Sequence, residues 1–126
     1  MAATHLPAGA AEWFRRARRY LRVSKAVLDD GFADVSAFNA EQAAEFALKA
    51  LQLQLTGSFS RTHDLALLAG AVSAPPRIVK LATLLSQVYV AARYPDVGGP
   101  RISRVRAEAY LDTARRIVRW VGRQLP

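Results

Sequence analysis

The sequence predicts an all-α fold: an up-and-down bundle of four long helices, with a short extra helix between the second and third. Apolar residues recur at three- and four-residue spacings through four long segments. The breaks between segments are short and built from turn residues: Asp30-Gly31, Thr56-Gly57-Ser58, Ser73-Ala74-Pro75-Pro76, and the run from Pro95 to Pro100. A period-two pattern persists nowhere, so no strand is needed. With 126 residues, 52% of them hydrophobic, the chain is expected to form a single domain over 1–126, with 1–9 as a flexible tail. A chain of this length buries roughly two-thirds of its unfolded surface, enough for a core without cross-links.

Residues 10–29 form the first helix. Trp13, Ala17, Tyr20, Leu21, Ser24, Val27 and Leu28 share one face, and Arg15, Arg16, Arg18, Arg19, Arg22 and Lys25 cover the rest. The second helix is expected over 38–55. Asn39-Ala40-Glu41-Gln42 resembles a capping box, Asp34 helps the start, and Gly57 is a left-handed terminator. Its polar residues, Glu41, Glu45, Lys49, Gln52 and Thr56, fall in one narrow stripe, which reads as the solvent edge of the most buried helix. Residues 64–71 make the short helix, capped by Asp64. The third long helix covers 76–92, with Ile78, Leu81, Leu85, Val88 and Ala92 inward. Pro75 or Pro76 suits its first turn, where a missing N–H costs nothing. The last helix runs over about 101–122, with Ile102, Val105, Ala109, Tyr110, Ala114, Ile117 and Val121 inward. Arg104, Glu108, Asp112, Arg115 and Arg119 form its wet side.

Composition excludes several kinds of chemistry. Without cysteine there is no disulfide scaffold, thiolate metal site or cysteine nucleophile. Two histidines, His5 and His63, do not suffice for a multi-histidine metal centre. The carboxylates show no converging spacing, so neither a metal site nor a cofactor is expected. Gly98-Gly99 lacks the lysine and serine of a phosphate loop, and serine-nucleophile motifs are missing. No stretch approaches the ~20 apolar residues that span a bilayer, and the first residues lack the pattern of a secretory signal. The expectation is a cytoplasmic protein without a membrane partner.

Eighteen basic against ten acidic residues give a formal charge of +8. Six cations lie on the first helix and seven in 101–123. If those helices are neighbours, their outer faces form one positive surface that attracts RNA, DNA or an acidic protein. A general arginine and alanine bias, leaving a merely solvated face, fits equally well.

Few residues remain as candidates for chemistry. His5 lies in the tail and has no specific role. In Arg61-Thr62-His63-Asp64, the plain reading is that Asp64 caps a helix and His63 anchors the loop by a hydrogen bond. At Arg93-Tyr94-Pro95-Asp96, Arg93 can offer a planar fork to a phosphate or carboxylate, and Tyr94 a stacking face. An ordinary helix end, with a cation on the dipole and a proline stop, explains the same residues.

Phe32-Ala33, Gln42-Ala43-Ala44-Glu45-Phe46-Ala47-Leu48-Lys49-Ala50, Thr62-His63-Asp64-Leu65 and Arg93-Tyr94-Pro95-Asp96 occur in an order and spacing that resemble a HEPN domain. That is the nucleotide-binding domain shared by higher eukaryotes and prokaryotes, here of the small stand-alone prokaryotic type. The likeness spans about 12–122. It implies a dimeric helical bundle that works beside a small nucleotidyltransferase, often as a toxin–antitoxin pair. Many members are metal-independent ribonucleases with an Arg-x4-6-His spacing, the arginine steadying phosphate and the histidine assisting proton transfer from the 2′-hydroxyl. In this chain the positions after Arg93 are Gly98, Gly99 and Pro100, and those before His63 are Thr56, Gly57 and Ser58. The ribonuclease spacing is therefore missing. The resemblance thus implies a non-catalytic homodimer that binds a nucleotide, an RNA or a nucleotidyltransferase partner. Arg93 would be the main anion contact, Tyr94 a stacking platform and Asp96 the residue orienting Arg93, with His63 and Asp64 as secondary contacts. The alternative is a ribonuclease toxin with a variant site of Arg93, Asp96 and His63.

Overall fold

The amphipathic period of the first segment becomes α1 (Ala10–Asp29) in a computed structural model that describes residues 9–93 and 101–126, apart from the side chains of Val90, Ala92 and Arg93. Of the expected tail over 1–9, residues 1–8 with His5 lie outside the described residues, and Gly9 is the N-cap of α1. Then come α2 (Ala33–Thr56), α3 (Leu65–Ala71), α4 (Pro76–Ser86), α5 (Val88–Arg93) and α6 (Arg104–Gln124). The described residues contain no strand. The architecture is the predicted all-α bundle, with α3 as the short extra helix and α4 and α5 together as the third long one.

The second helix starts earlier than its sequence suggests. Gly31, at φ +93°, turns the chain, and α2 begins at Ala33 with Asp34 in its first turn. Asn39 caps nothing. It sits inside the helix, and its side-chain amide donates to the Val35 carbonyl at 2.8 Å. The early turns are held from α1: the Ser24 hydroxyl, fully buried, donates to the Ser36 carbonyl at 2.8 Å. At the far end Gly57 takes the left-handed conformation, φ +82°, and its N–H reaches the Leu53 carbonyl at 2.8 Å.

Asp64 caps α3 as the sequence suggested, its side chain accepting from the N–H groups of Ala66 and Leu67. The expected continuous helix over 76–92 is interrupted at Gln87, directly after Ser86. The Ser86 hydroxyl turns toward α3 and accepts the Leu65 N–H at 3.2 Å. Gln87 keeps right-handed dihedrals, φ −63° and ψ −23°, so α5 carries on from α4. On α6 the buried face is Ala107, Leu111, Ala114, Ile117, Val118, Trp120 and Val121. Val105, 76% exposed, and Ala109 lie outside it, because Ala107 and Leu111 are the residues that meet Leu28 of α1.

Each of the five other helices packs against α2. It can serve as the shared centre because Ala37, Ala40, Ala43, Ala44, Ala47 and Ala50 are all fully buried. Methyl-sized side chains on nearly every face let neighbouring backbones approach closely. Leu48, Leu51, Leu65, Leu68, Ile78, Leu85, Ile117 and Val121 fill the space between. Trp13, Phe46, Phe59 and Tyr20 close the α1–α2 corner, with ring centroids 4.6–5.6 Å apart. Such aromatic pairs add about 0.5–1.5 kcal/mol each beyond area burial. Among the described residues no helix is long and apolar enough to cross a membrane.

The first and last helices are neighbours. Arg104 of α6 donates to the Leu28 carbonyl at 3.1 Å. Arg18, Arg22 and Lys25 of α1 share an open groove with Arg115 of α6, so the expected positive face exists. Its few carboxylates are paired. Asp29 accepts a 2.6 Å hydrogen bond from Lys25, and that bond, with the Lys25 and Arg104 charges, holds its carboxyl below the ordinary 3.8. A hydrogen bond from Arg15, together with the Arg15 charge, likewise lowers the Glu12 carboxyl from 4.5.

Candidate functional site

The polar stripe of α2 departs furthest from its expected surroundings. Glu41, Glu45 and Lys49 do not face solvent: their exposures are 0%, 3% and 5%. From Glu45 to Gln52 the stripe faces the chain between α2 and α3, which folds back over it. Gln52 holds Ser60 at two points, donating to its hydroxyl at 3.1 Å and accepting its N–H at 2.9 Å. Phe59 lies against Lys49, whose Nζ sits 5.7 Å from the ring centroid. His63 completes the cover.

Lys49 Nζ donates to Glu45 Oε2 at 3.0 Å, which gives the buried cation its counter-charge. His63 Nδ1 lies 2.9 and 3.0 Å from the two Glu45 oxygens. A carboxylate paired with a lysine can only accept, so Nδ1 is the donor. With Nδ1 as the donor, Nε2 is the acceptor of the neutral ring, and the His63 side chain is 49% exposed. The ring also stacks on Tyr89 of α5, centroids 4.7 Å apart and planes 20° from parallel. One turn before Glu45 on the same helix, Glu41 Oε1 accepts from Gln42 at 2.8 Å.

The plain reading of His63 as a loop anchor is therefore right in kind, and its partner is Glu45. Asp64 has both of its described side-chain bonds inside the α3 cap, and the Thr62 hydroxyl accepts the Asp64 N–H at 3.1 Å. The 62–65 segment is thus fixed by a helix cap on one side and a buried carboxylate on the other.

Of the second sequence motif, the Arg93 side chain and the residues Tyr94 and Asp96 lie outside the described residues. The backbone of α5 still relates the two motifs. Tyr89, which carries the His63 ring, precedes Arg93 by a single helical turn, about 6 Å along the axis. Sequence spacing left open whether these two motifs meet. The fold brings the 62–65 segment onto the helix that ends at Arg93.

Sequence reasoning missed Glu45, Lys49 and Tyr89 as parts of this cluster. A usable signal existed: α2 has apolar residues on all its other faces, and a helix packed all round has no solvent edge. Among the described residues no group of three or more His, Asp or Glu side chains converges as a metal site. Chemically the cluster can orient an imidazole, lend it a neighbouring negative charge and present it to a ligand at the α5 edge.

A family model for the HEPN domain matches residues 10–124. The chain belongs to the HEPN family. HEPN domains are helical and of nucleotide-binding and ribonuclease type. Solved structures are similar throughout. TT1696 from Thermus thermophilus is 34% identical with a TM-score of 0.84, and the match covers 92% of this chain and 98% of that one. ST0689, an archaeal HEPN homologue, is 31% identical with a TM-score of 0.76, covering 94% and 98%. No curated protein matches the chain. The Glu45–His63 pair therefore sits within a HEPN fold, at the seam between the α2–α3 connection and α5.

Proposed function

We propose that this HEPN domain is a non-catalytic binding module that takes the phosphate of a nucleotide or an RNA at the seam between residues 62–65 and the end of α5. The supporting observation is the placement of His63: held by buried Glu45 and stacked on Tyr89, one turn before Arg93. In this reading Arg93 supplies the main anion contact, Tyr94 a stacking surface for a base, and Asp96 orients Arg93. His63 is a secondary contact that can donate to phosphate through Nε2 only as the imidazolium, in which both ring nitrogens carry a proton, and Asp64 acts by fixing the loop through its cap. The domain works as a homodimer beside a small nucleotidyltransferase, as one half of a toxin–antitoxin-like pair in the cytoplasm. The missing ribonuclease spacing supports a non-catalytic role.

The test is fluorescence anisotropy with labelled ATP, GTP and a short RNA. A hydrogen bond to a charged group is worth about 1.5–3 kcal/mol, so Arg93→Ala and His63→Ala should each weaken binding roughly 10- to 100-fold. Unchanged affinity of a folded Arg93→Ala variant removes that residue from the site.

One observation favours a second reading, a metal-independent ribonuclease toxin using Arg93, Asp96 and His63. A carboxylate that accepts from one imidazole nitrogen, and so leaves the other as the basic one, is the arrangement that prepares histidine for proton transfer. RNA incubated with the protein and a chelator decides this. No cleavage, or equal cleavage by His63→Ala, excludes it.

A further inference from the structure

The positive charge of α6 is not confined to the side facing α1. Its other flank forms, with α4, an open groove of about 620 Å³. On α4 the lining residues Arg77, Lys80, Leu81 and Leu84 are spaced three and four apart and so make one stripe. On α6 the facing stripe is Asp112, Arg116, Arg119, Trp120 and Arg123. Five cations face one carboxylate, and that carboxylate is already bonded by Arg116 at 3.0 Å. Two apolar side chains of α4 line the groove beside these charges: Leu84, 47% exposed, and Leu81, half-buried.

We propose that this groove docks an acidic amphipathic helix of a partner protein. Such a helix lays an apolar stripe on Leu81 and Leu84 and sets carboxylates against the cationic rims. The α6 stripe from 112 to 123 runs for about 16 Å, which matches three turns of a docked helix. The occupant is not a second copy of this chain, because its own outward-facing amphipathic helices, α1 and α6, are themselves rich in arginine. Nor is the groove built for a nucleic acid strand. Single strands bind on exposed aromatic faces, and the aromatic residue lining the groove, Trp120, is only 8% exposed. Leucines in the lining reward apolar side chains and give nothing to a sugar–phosphate chain.

The docking site extends the partner-binding part of the proposed function and is independent of the phosphate site. The probe is a labelled 18-residue synthetic helix with leucines on one face and glutamates flanking them. A scrambled peptide of the same composition, a 12-nucleotide RNA and the double variant Arg77→Glu/Arg119→Glu serve as comparisons. Arg19→Glu/Arg22→Glu on α1 makes the same charge change elsewhere, and circular dichroism checks that each variant is folded. The expected result is saturable anisotropy with the helix, at least tenfold weaker with the scrambled peptide and at least tenfold weaker after the groove reversal. The α1 reversal should change it less than threefold, and ATP should not displace the peptide. Equal binding of scrambled and helical peptides, insensitivity to the groove reversal, or displacement of the peptide by RNA at lower concentration would each overturn the proposal. Nucleotide binding measured separately shows whether the phosphate site stands or falls by itself.

Discussion

Replacing Glu45 by glutamine keeps the shape of the side chain and removes its charge. The structure makes that change expensive. Lys49, 5% exposed, would keep its ammonium group inside the protein without a counter-charge, and the new amide N–H groups would face the Lys49 and His63 donors. Breaking a buried ion pair from one side costs about 3–5 kcal/mol. The low end applies because His63, half-exposed, gives water a route to the pair, so about 3 kcal/mol is expected. For a chain of this length that corresponds to a fall in Tm of roughly 10–15 °C. The double change Glu45→Gln/Lys49→Met removes both charges and should recover most of the loss, since apolar replacement of a whole buried pair is close to neutral. Urea unfolding followed by circular dichroism gives the three stabilities and the coupling between the sites. A Glu45→Gln variant within about 1 kcal/mol of the parent, or a double variant as unstable as the single one, would refute the argument.

Three further outcomes follow from local geometry. Asp64→Ala should cost about 1 kcal/mol by denaturant unfolding, because two N–H groups at the start of α3 lose their acceptor. Gly57→Ala should cost about 1–2 kcal/mol, since a Cβ at φ +82° is strained although the space around it is open. The carboxyls of Asp29 and Glu12 are held low in the folded state, so their pairs contribute stability above the ordinary carboxylate range and lose it as pH falls through the lowered values. Both pairs are exposed, so the effect is small and screened by salt. Thermal melts between about pH 5 and pH 3 should decline less steeply for Lys25→Met than for the parent, and the difference should vanish in ~1 M salt.

The fold was legible where one face of a helix is wet. On α1 the six cations and the apolar stripe alternate cleanly, and both of its ends fall where the sequence placed them. Gly57 and Asp64 were legible because left-handed and capping positions demand particular residue types. The start of α2 was not, because Asn39 has the chemistry of a cap and nothing local reveals that Ser36 is claimed by Ser24. The interruption at Gln87 has no glycine or proline to announce it. The candidate site was half legible. His63 was named as a loop anchor, yet spacing along a chain cannot tell whether a stripe such as Glu45, Lys49 and Gln52 faces water or a loop folded over it.

The alanine packing around α2 governs how a domain of this kind can diverge. At a fully buried alanine an added methylene forces side chains off their rotamers or shifts backbone, at about 1–3 kcal/mol, while glycine forfeits about 1 kcal/mol of helix propensity. Enlargement and reduction are both destabilising at the centre. Exposed arginines without such a cross-helix bond as Arg104 makes to Leu28 can be exchanged within about half a kcal/mol. The outer surface can therefore be rewritten one residue at a time, while the scaffold that carries it stays nearly fixed.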